Sequence, residues 1–566
     1  MFDQKIINDL KTAIKTLGFG ETKIQLSIPE TIEFGDYSTN IALQLSKQEG
    51  KKTYHSPHEI ASDIVEKLNH PEYLERVETA GPGFINFYIK DSYLIKNLEG
   101  IKSRKVSPHA QKRMLVEYAH PNTHKAFHIG HLRNIILGES LARLLEDYGH
   151  DIFRANYQGD IGLHVAKAIW GIKKLGVPEE SLGVKEKAEF LGRAYATGAQ
   201  AYEAEEEAKQ EIVEINKALY RKDPEIIEIW KTTRQWSLDY FDLIYKRLGS
   251  KFDRLFFESE TESLGKEIVQ KHLGRVFEED QGAIIFPGKK YGLHNRVFIT
   301  SAGNPTYEAK DMGLGFIEID TFPFDLAIHV VASEQAGYFQ VIFKALELID
   351  PKFTGKEVHL SYGMVNLISG KMSSRTGQVI TAEGLIESVK SKVAEVMKES
   401  RLDAPDEVVE KVAIGAIKFS MLKYSPSSDI AFDIEQSVSL QGDSGPYLQY
   451  TYARTRSVLR NVRGLKIEDS TLRMEDREID LDPEERAVLR LLEYFPLIVE
   501  KSAIELSPTA LTEYLLELSR AFNVFYQNCP ILKSDKAVLR VQLTKVVGDT
   551  IEKGLYLLGI EAPERM

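Results

Sequence analysis

The alternation of apolar and polar positions divides the chain into stretches of different character. At the start, Ile6, Ile7, Leu10, Ile14 and Leu17 recur at helical spacing in MFDQKIINDLKTAIKTLG, which predicts an amphipathic helix. KIQLSIP alternates as a strand does, and EFGDYSTNIALQLSK reads as a turn running into a helix. Phe84, Ile85, Phe87 and Ile89 form a strand after the Gly-Pro-Gly break of GPGFINFYI. These elements predict a small α+β domain over residues 1–106, with KSRKVSPHAQK as the linker out of it.

Beyond the linker the pattern changes. RMLVEYA is the short apolar run of a buried strand. HLRNIILGESLARLLEDYG places Leu132, Ile135, Ile136, Leu141, Leu144, Leu145 and Tyr148 at helical spacing, with Gly149 as the stop. DIFRANYQ reads as the next strand. Strand, turn, helix and strand in this order open a doubly wound nucleotide-binding sheet, which binds ligands at the carboxyl ends of its strands. Residues of about 172–280 are charged and helical, an expected insertion between two halves of the sheet. Strand patterns return in GAIIFP, RVFITSAG, DLAIHVVAS and VHLSYGMVNL, with YFQVIFKALELID as an intervening helix. The small-residue, basic loop SGKMSSRTGQ (369–378) follows the last of them, and from about 382 onward the pattern is helical. The expected fold is α/β multidomain: a Rossmann-like doubly wound parallel sheet over 107–436, the α+β domain before it, and an all-α bundle over 437–566.

A chain of 566 residues exceeds one hydrophobic core, in keeping with several domains. No apolar run approaches the length of a membrane-spanning helix, and the N-terminus lacks the continuous apolar stretch of a signal peptide. The single cysteine, Cys529, excludes an intrachain disulfide and a cysteine-based zinc site, so a cytoplasmic location is expected. The net charge of -12 argues against a general nucleic-acid coat. It leaves room for local patches such as YARTRSVLRNVRGLK, where Arg454, Arg456, Arg460, Arg463 and Lys466 occur without an acid; a solvated helix face is the alternative.

The densest chemistry is HPNTHKAFHIGH (His120–His131), which holds four of the 14 histidines. Histidines four apart on a helix can chelate zinc, but Pro121 and Gly130 interrupt this run and no glutamate lies between them. Ligands drawn from a loop remain an alternative. His120 and His124 suit structural roles. His128 and His131 bracket Gly130 at the mouth of a strand-to-helix turn, where free N–H groups and the positive helix end favour phosphate. Imidazole donates a hydrogen bond in either charge state, and Lys125 adds a fixed charge.

His-Ile-Gly-His at 128–131 resembles the first signature of the class I aminoacyl-tRNA synthetases, and KMSSR (Lys371–Arg375) resembles their second, the Lys-Met-Ser-Lys-Ser loop. VEYAHPNTHKAFHIGHLRN is similar to the arginyl-tRNA synthetase version. NYQGDIG resembles that family's Gly-Asp-Trp-Gly element, with Ile161 in place of Trp. GPYLQYTYAR (445–454) and LGIEAPERM resemble its helical anticodon-binding domain, and EFGDYSTNIAL and GPGFINFYI its N-terminal domain, so nearly the whole chain is covered.

The resemblance implies the reaction ATP + L-arginine + tRNA(Arg) to arginyl-tRNA(Arg) + AMP + diphosphate, through an arginyl-adenylate, with activation dependent on tRNA. It assigns His128, His131, Lys125 and Lys371 to catalysis. Gly130, Met364, Val365, Met372 and Ser373 join His128, His131 and Lys371 around ATP, whose Mg²⁺ arrives with the nucleotide; no structural metal is implied. Glu117, Asn122, His128, Tyr307, Asp311 and Gln335 are implied for arginine, and Arg454, Arg456 and Tyr526 for tRNA. The N-terminal domain would touch the outer corner of the tRNA. Ser374 replaces the second lysine of the loop signature, a loss for which Lys125 is expected to compensate. The family further implies a monomer without membrane or DNA partners. Without the resemblance, Tyr307 and Asp311 read as an ordinary helix start with a surface acid, and Tyr526 as a core aromatic. Another class I enzyme or nucleotidyltransferase, a non-catalytic RNA-binding paralogue and a histidine-site metalloenzyme are the rival readings.

Overall fold

The structure, a computed structural model, describes residues 2–29, 31–47, 56–68, 70–103, 110–178, 181–368, 381–400, 404–462 and 480–566. The basic loop at 369–378, with Lys371, Met372, Ser373, Ser374 and Arg375, lies outside these residues, as do Arg463 and Lys466. The chain divides into two compact units. One comprises Met1–Arg104, Thr455–Leu497 and Glu517–Thr550, the other Lys105–Arg454, Ile498–Leu516 and Ile551–Met566.

The chain begins with α1 (Phe2–Thr16), β1 (Tyr37–Thr39), α2 (Ile41–Leu45), α3 (Pro57–Lys67), β2 (Leu74–Ala80), β3 (Phe84–Ile89) and α4 (Asp91–Asn97). The strands form an antiparallel sheet in the order β1-β3-β2. Phe2, Ile6, Leu10 and Ile14 make the buried face of α1. KIQLSIP is not a strand: β1 offers only three residues beside it, and Ser27 alone bridges to Ser38. β2, unexpected because LERVETA carries three charges, pairs along β3 with its charged residues outward.

The other unit holds β4 (Arg113–Glu117), α5 (Ile129–Tyr148), β5 (Asp151–Gln158), α6 (Leu163–Leu175), α7 (Val184–Ala204), α8 (Glu206–Arg221), α9 (Pro224–Arg247), β6 (Arg254–Phe257) and α10 (Glu258–Lys271). It continues through β7 (Glu278–Asp280), β8 (Ala283–Phe286), β9 (Arg296–Ile299), α11 (Tyr307–Thr321), β10 (Leu326–Ala332), α12 (Ala336–Ile349), β11 (Glu357–Tyr362) and β12 (Val365–Leu367). Next come α13 (Ala382–Glu399), α14 (Asp406–Leu422), β13 (Ile430–Phe432) and α15 (Ile434–Ser437). Five parallel strands lie in the order β11-β10-β4-β5-β6, with the first strand of the sheet, β4, between β5 and β10. The winding reverses between β4 and β10, which is where doubly wound sheets open a ligand crevice. Leu115, Phe256, Met312, Val341 and Leu346 belong to a core that joins the sheet to the helices α10, α11 and α12. Each such side chain contributes about 1.5–3 kcal/mol by leaving water.

Three expectations need correction. The stretch 172–280 is not all helical, because Arg254–Phe257 is an edge strand of the parallel sheet. GAIIFP and RVFITSAG do not enter that sheet; as β8 and β9 they form a separate antiparallel sheet with β7. The link from Pro287 to Asn295 is too short for the crossover that parallel pairing needs. VHLSYGMVNL breaks at Gly363, where a Cβ would stand 2.3 Å from the Ser428 carbonyl oxygen. Its second half pairs with β13, a strand within a region expected to be helical.

The remaining helices are α16 (Gly445–Val462), α17 (Pro483–Ile504), α18 (Thr509–Asn528) and α19 (Ala537–Leu557), with no strand among the described residues from 437 on. Within the first unit, Arg486 of α17 binds Asp36 at 3.1 Å and Asp91 at 2.9 Å. Tyr494 donates to the Asp36 carbonyl at 2.5 Å.

Candidate active site

β4 ends at Glu117, and the turn that follows is tight: Ala119, His120 and His124 take φ of 85°, 49° and 62°. Non-glycine residues seldom adopt such values, and they cluster where surrounding structure enforces them. The turn ends at His128, the N-cap of α5. The His128 Nδ1 accepts from the Gly130 N–H at 3.1 Å, and the His131 Nδ1 accepts from the His128 N–H at 3.1 Å. The histidines thus form the helix's capping box. With both Nδ1 atoms accepting, each ring carries its proton on Nε2. The rings stack 3.7 Å apart. Burial and the Lys125 charge lower the pKa of His128; burial, His128, His120 and Lys125 hold His131 well below the usual histidine value. The signature therefore presents two neutral N–H donors. A Cβ at Gly130 would crowd the His128 ring at 3.0 Å, so the glycine leaves the ring its place.

The helices α7 and α9 buttress this turn. His124 is buried, with its ring nitrogens on the Thr123 and Thr233 hydroxyls at 2.9 and 2.8 Å and its N–H donated to Ser237 Oγ at 2.9 Å. Arg234 reaches Asp160 at 2.8 Å, and Phe127 packs on Phe241 of α9. Lys125 places its ammonium 5.2 Å from the ring centroid of Tyr195 on α7. Burial and Lys167 lower the Lys125 pKa, against Glu258.

Beside the turn, at the reversal between β4 and β10, lies a cavity of about 470 Å³. Glu117, Asn122, Tyr307, Asp311 and Gln335 all line it; His128 does not. Asn122 sits against Gly159, where a Cβ would fall 2.2 Å from its Oδ1. Tyr307 and Asp311 stand one turn apart on α11, and the Tyr338 hydroxyl donates to Asp311 Oδ2 at 2.6 Å. Burial pushes the Asp311 carboxyl up to about 8, against that hydrogen bond, with Glu117 and Glu258 adding to the rise.

Sequence reasoning missed the cavity floor. His329, in register with Glu117 across β10 and β4, reaches Glu117 at 2.6 Å and Glu357 at 2.7 Å. Carboxylates only accept, so both ring nitrogens donate and His329 is an imidazolium. Burial opposes its charge, but Glu117 and Glu357 hold its pKa well above the usual value. Burial likewise raises Glu117, but the His329 charge and hydrogen bonds from His120 and His329 outweigh it and keep this carboxylate well below its usual range. Glu318, from α11, completes the floor. Two signals were available: a lone histidine centred in the apolar run LAIHVVA, and Glu318 seven residues after Asp311, hence on the same helix face. Among the described residues only Glu117, Glu318 and His329 bring ligand-type atoms within 4.8 Å of one another. Both His329 nitrogens are committed to the Glu117 and Glu357 carboxylates, so these three form a salt-bridged floor with Glu318 beside it, and not a metal centre.

Met364 and Val365 lie at the start of β12, where the Met364 N–H donates to Asp429 at 2.7 Å. Arg454 stands 5.0 Å over the Tyr450 ring, and Arg456 pairs with Asp549 at 2.8 Å. Tyr526 is 41% exposed, which removes the core-aromatic alternative.

Residues 94–434 match the family model described as class I tRNA synthetases (R), catalytic domain. The sheet, its capped histidine turn and this match define a class I aminoacyl-tRNA synthetase. Residues 4–89 match the arginyl tRNA synthetase N-terminal domain and 448–566 the DALR anticodon binding domain. An arginine–tRNA ligase of Treponema denticola is 33% identical over 96% of this chain and 95% of its own length. One from Porphyromonas gingivalis is 30% identical over 100% and 99%. The solved arginyl-tRNA synthetase of Thermus thermophilus superposes with a TM-score of 0.82 at 27% identity, covering 100% of both chains. The chain belongs to the arginyl-tRNA synthetase family. No described helix is long and apolar enough to cross a membrane.

Proposed function

We propose that this chain joins L-arginine to tRNA(Arg) using ATP, through an arginyl-adenylate formed between the histidine turn and the acidic cavity. The carrying observation is their adjacency: one strand-to-helix turn supplies Glu117, His120 and Asn122 to the cavity and His128 and His131 to the helix N-terminus. In this reading the arginine carboxylate attacks the α-phosphorus in line, an O–P bond forms, and the bond to pyrophosphate breaks. The protein contributes position and charge and forms no covalent bond to the substrate itself. The Nε2–H groups of His128 and His131 donate to phosphate oxygens, and the α5 N-terminus adds its dipole. Gly130 admits the stacked rings, while Met364 and Val365 flank the nucleotide. Lys125 and Lys371 neutralise the developing charge, and Met372 and Ser373 belong to the ATP loop. Mg²⁺ enters with ATP, held by its phosphates and water.

Asp311, with Tyr307 beside it, takes the guanidinium, and Asn122 and Gln335 serve the α-amino and carboxylate end. Segments 1–106, 107–436 and 437–566 act as tRNA-contacting, catalytic and anticodon-binding domains, the last through Arg454 and stacking on Tyr526. Arg456 is already paired and contributes less. The protein acts as a cytoplasmic monomer, and arginine activation requires bound tRNA. Pyrophosphate exchange over a panel of amino acids, with and without tRNA(Arg), tests this. Exchange with arginine alone, and only with tRNA, is expected. Exchange with another amino acid overturns the pocket assignment, and exchange without tRNA overturns the dependence.

A further inference from the structure

Three side chains that line the cavity, His120, Arg296 and Glu318, each carry a buried polar atom without a hydrogen-bond partner among the described residues, and only Glu318 Oε1 among them is an acidic oxygen. Glu318 is 1% exposed, and its Oε1 has no hydrogen-bond partner among the described residues although the residue lines the cavity. Glu117 of β4, His329 of β10, Glu357 of β11, Asp311 of its own helix and Tyr338 of α12 line the same cavity. His329 gives both its N–H groups to Glu117 and Glu357, Tyr338 gives its hydroxyl to Asp311, and two further lining groups, His120 Nε2 and Arg296 Nε, have no partner themselves and so do not reach Glu318. A buried carboxyl without a partner calls for a donor from elsewhere. The amino-acid carboxylate must face the histidine turn, so a bound side chain points away from it, toward α11 and the sheet, where Glu318 lies.

We propose that Glu318 is a specificity-determining residue for arginine, whose carboxylate accepts a hydrogen bond from the guanidinium while the proton it held before binding leaves to solvent. Without substrate, burial and the Glu117 charge push this carboxyl well above the usual range, so it holds that proton. The guanidinium reverses the balance. The Glu318 O–H bond breaks, water takes the proton, and an N–H of the cation replaces it on the same oxygen. A neutral side chain of the same shape, such as that of citrulline, cannot draw the proton off and so binds poorly.

The inference rests on the cavity being the arginine pocket. The test is calorimetric titration of the full chain with L-arginine and with citrulline at pH 7, in two buffers of different ionisation enthalpy. Wild type, Glu318→Gln and Asp311→Asn are compared. The expected result is net proton release by wild type, a smaller release by Glu318→Gln, and arginine binding weakened about ten- to hundred-fold in that variant. Its arginine-to-citrulline preference narrows as well, which a purely structural loss would not produce, since that weakens both ligands alike. A thermal melt shows whether the isosteric variant is folded; if it is not, Glu318→Ala and Glu318→Asp are put through the same preference measurement. Unchanged proton release and unchanged preference in folded Glu318→Gln overturn the inference alone. If Asp311→Asn is equally silent, the pocket reading falls with it.

Discussion

Lys125 offers the sharpest kinetic test of how the turn works. Its ammonium is half-buried and rests against Tyr195, so it is positioned before any substrate arrives. Two unit charges at about 4 Å interact by about 4 kcal/mol at an effective dielectric near 20. Burial and Lys167 destabilise the cation beforehand, which returns part of that sum when phosphate charge appears beside it. Loss of one preorganised group of this kind slows chemistry by about 100- to 1000-fold. Lys125→Ala should therefore lower the rate of arginine-dependent pyrophosphate exchange by about two orders of magnitude, with the KM for arginine nearly unchanged. Tyr195→Leu should give a smaller loss, because the charge remains but is no longer held, whereas Tyr195→Phe keeps the ring face and the rate. Exchange by Lys125→Ala within a few-fold of wild type would refute the assignment of transition-state charge to this residue.

Acid should weaken the turn before it weakens the rest of the catalytic unit. Burial holds His124 and His164 neutral, lowering each to about 3. Their stabilising effect is complete above the unfolded value near 6.5 and is lost as pH falls toward 3, with roughly 2 kcal/mol at stake per histidine at pH 5. Melting temperatures measured from pH 7.5 to 5 should drop, and His124→Gln should flatten the slope while lowering the plateau. At Gly171, an added Cβ would stand 2.0 Å from the Ala194 carbonyl, where α6 meets α7. Gly171→Ala should cost about 1–3 kcal/mol by overpacking, visible as a lower denaturant midpoint with an unchanged slope.

Much of this was legible because local signals agreed with the global fold. The spacing of Leu132 to Tyr148 and the stop at Gly149, whose φ is 111°, marked α5 to within a few residues. DIFRANYQ matches β5 residue for residue. Tyr307 and Asp311 carry no pattern of their own; only the family resemblance pointed to them, and α11 brings both to the cavity. What was not legible depended on partners remote in sequence. Whether GAIIFP joins one sheet or another is decided by the length of its link to RVFITSAG. The pairing of His329 with Glu117 spans 212 residues and exists only because β10 lies beside β4. The resemblance puts Gly130 around ATP, and the structure adds that a Cβ there would stand 3.0 Å from the His128 ring, a contact no local pattern announces. The basic loop with Lys371 lies outside the described residues, so its part rests on the resemblance.

The central claim is that the acidic cavity takes the arginine side chain, and Asp311→Asn tests it most directly. With the Asp311 carboxyl raised to about 8, arginine must bind its ionised form. The wild-type KM for arginine should thus fall about tenfold between pH 7 and 9 on account of this group. In Asp311→Asn that component should vanish, and the KM should rise about ten- to hundred-fold at pH 8 with the KM for ATP unmoved. An Asp311→Asn enzyme whose KM for arginine matches wild type across that range would place the amino acid elsewhere.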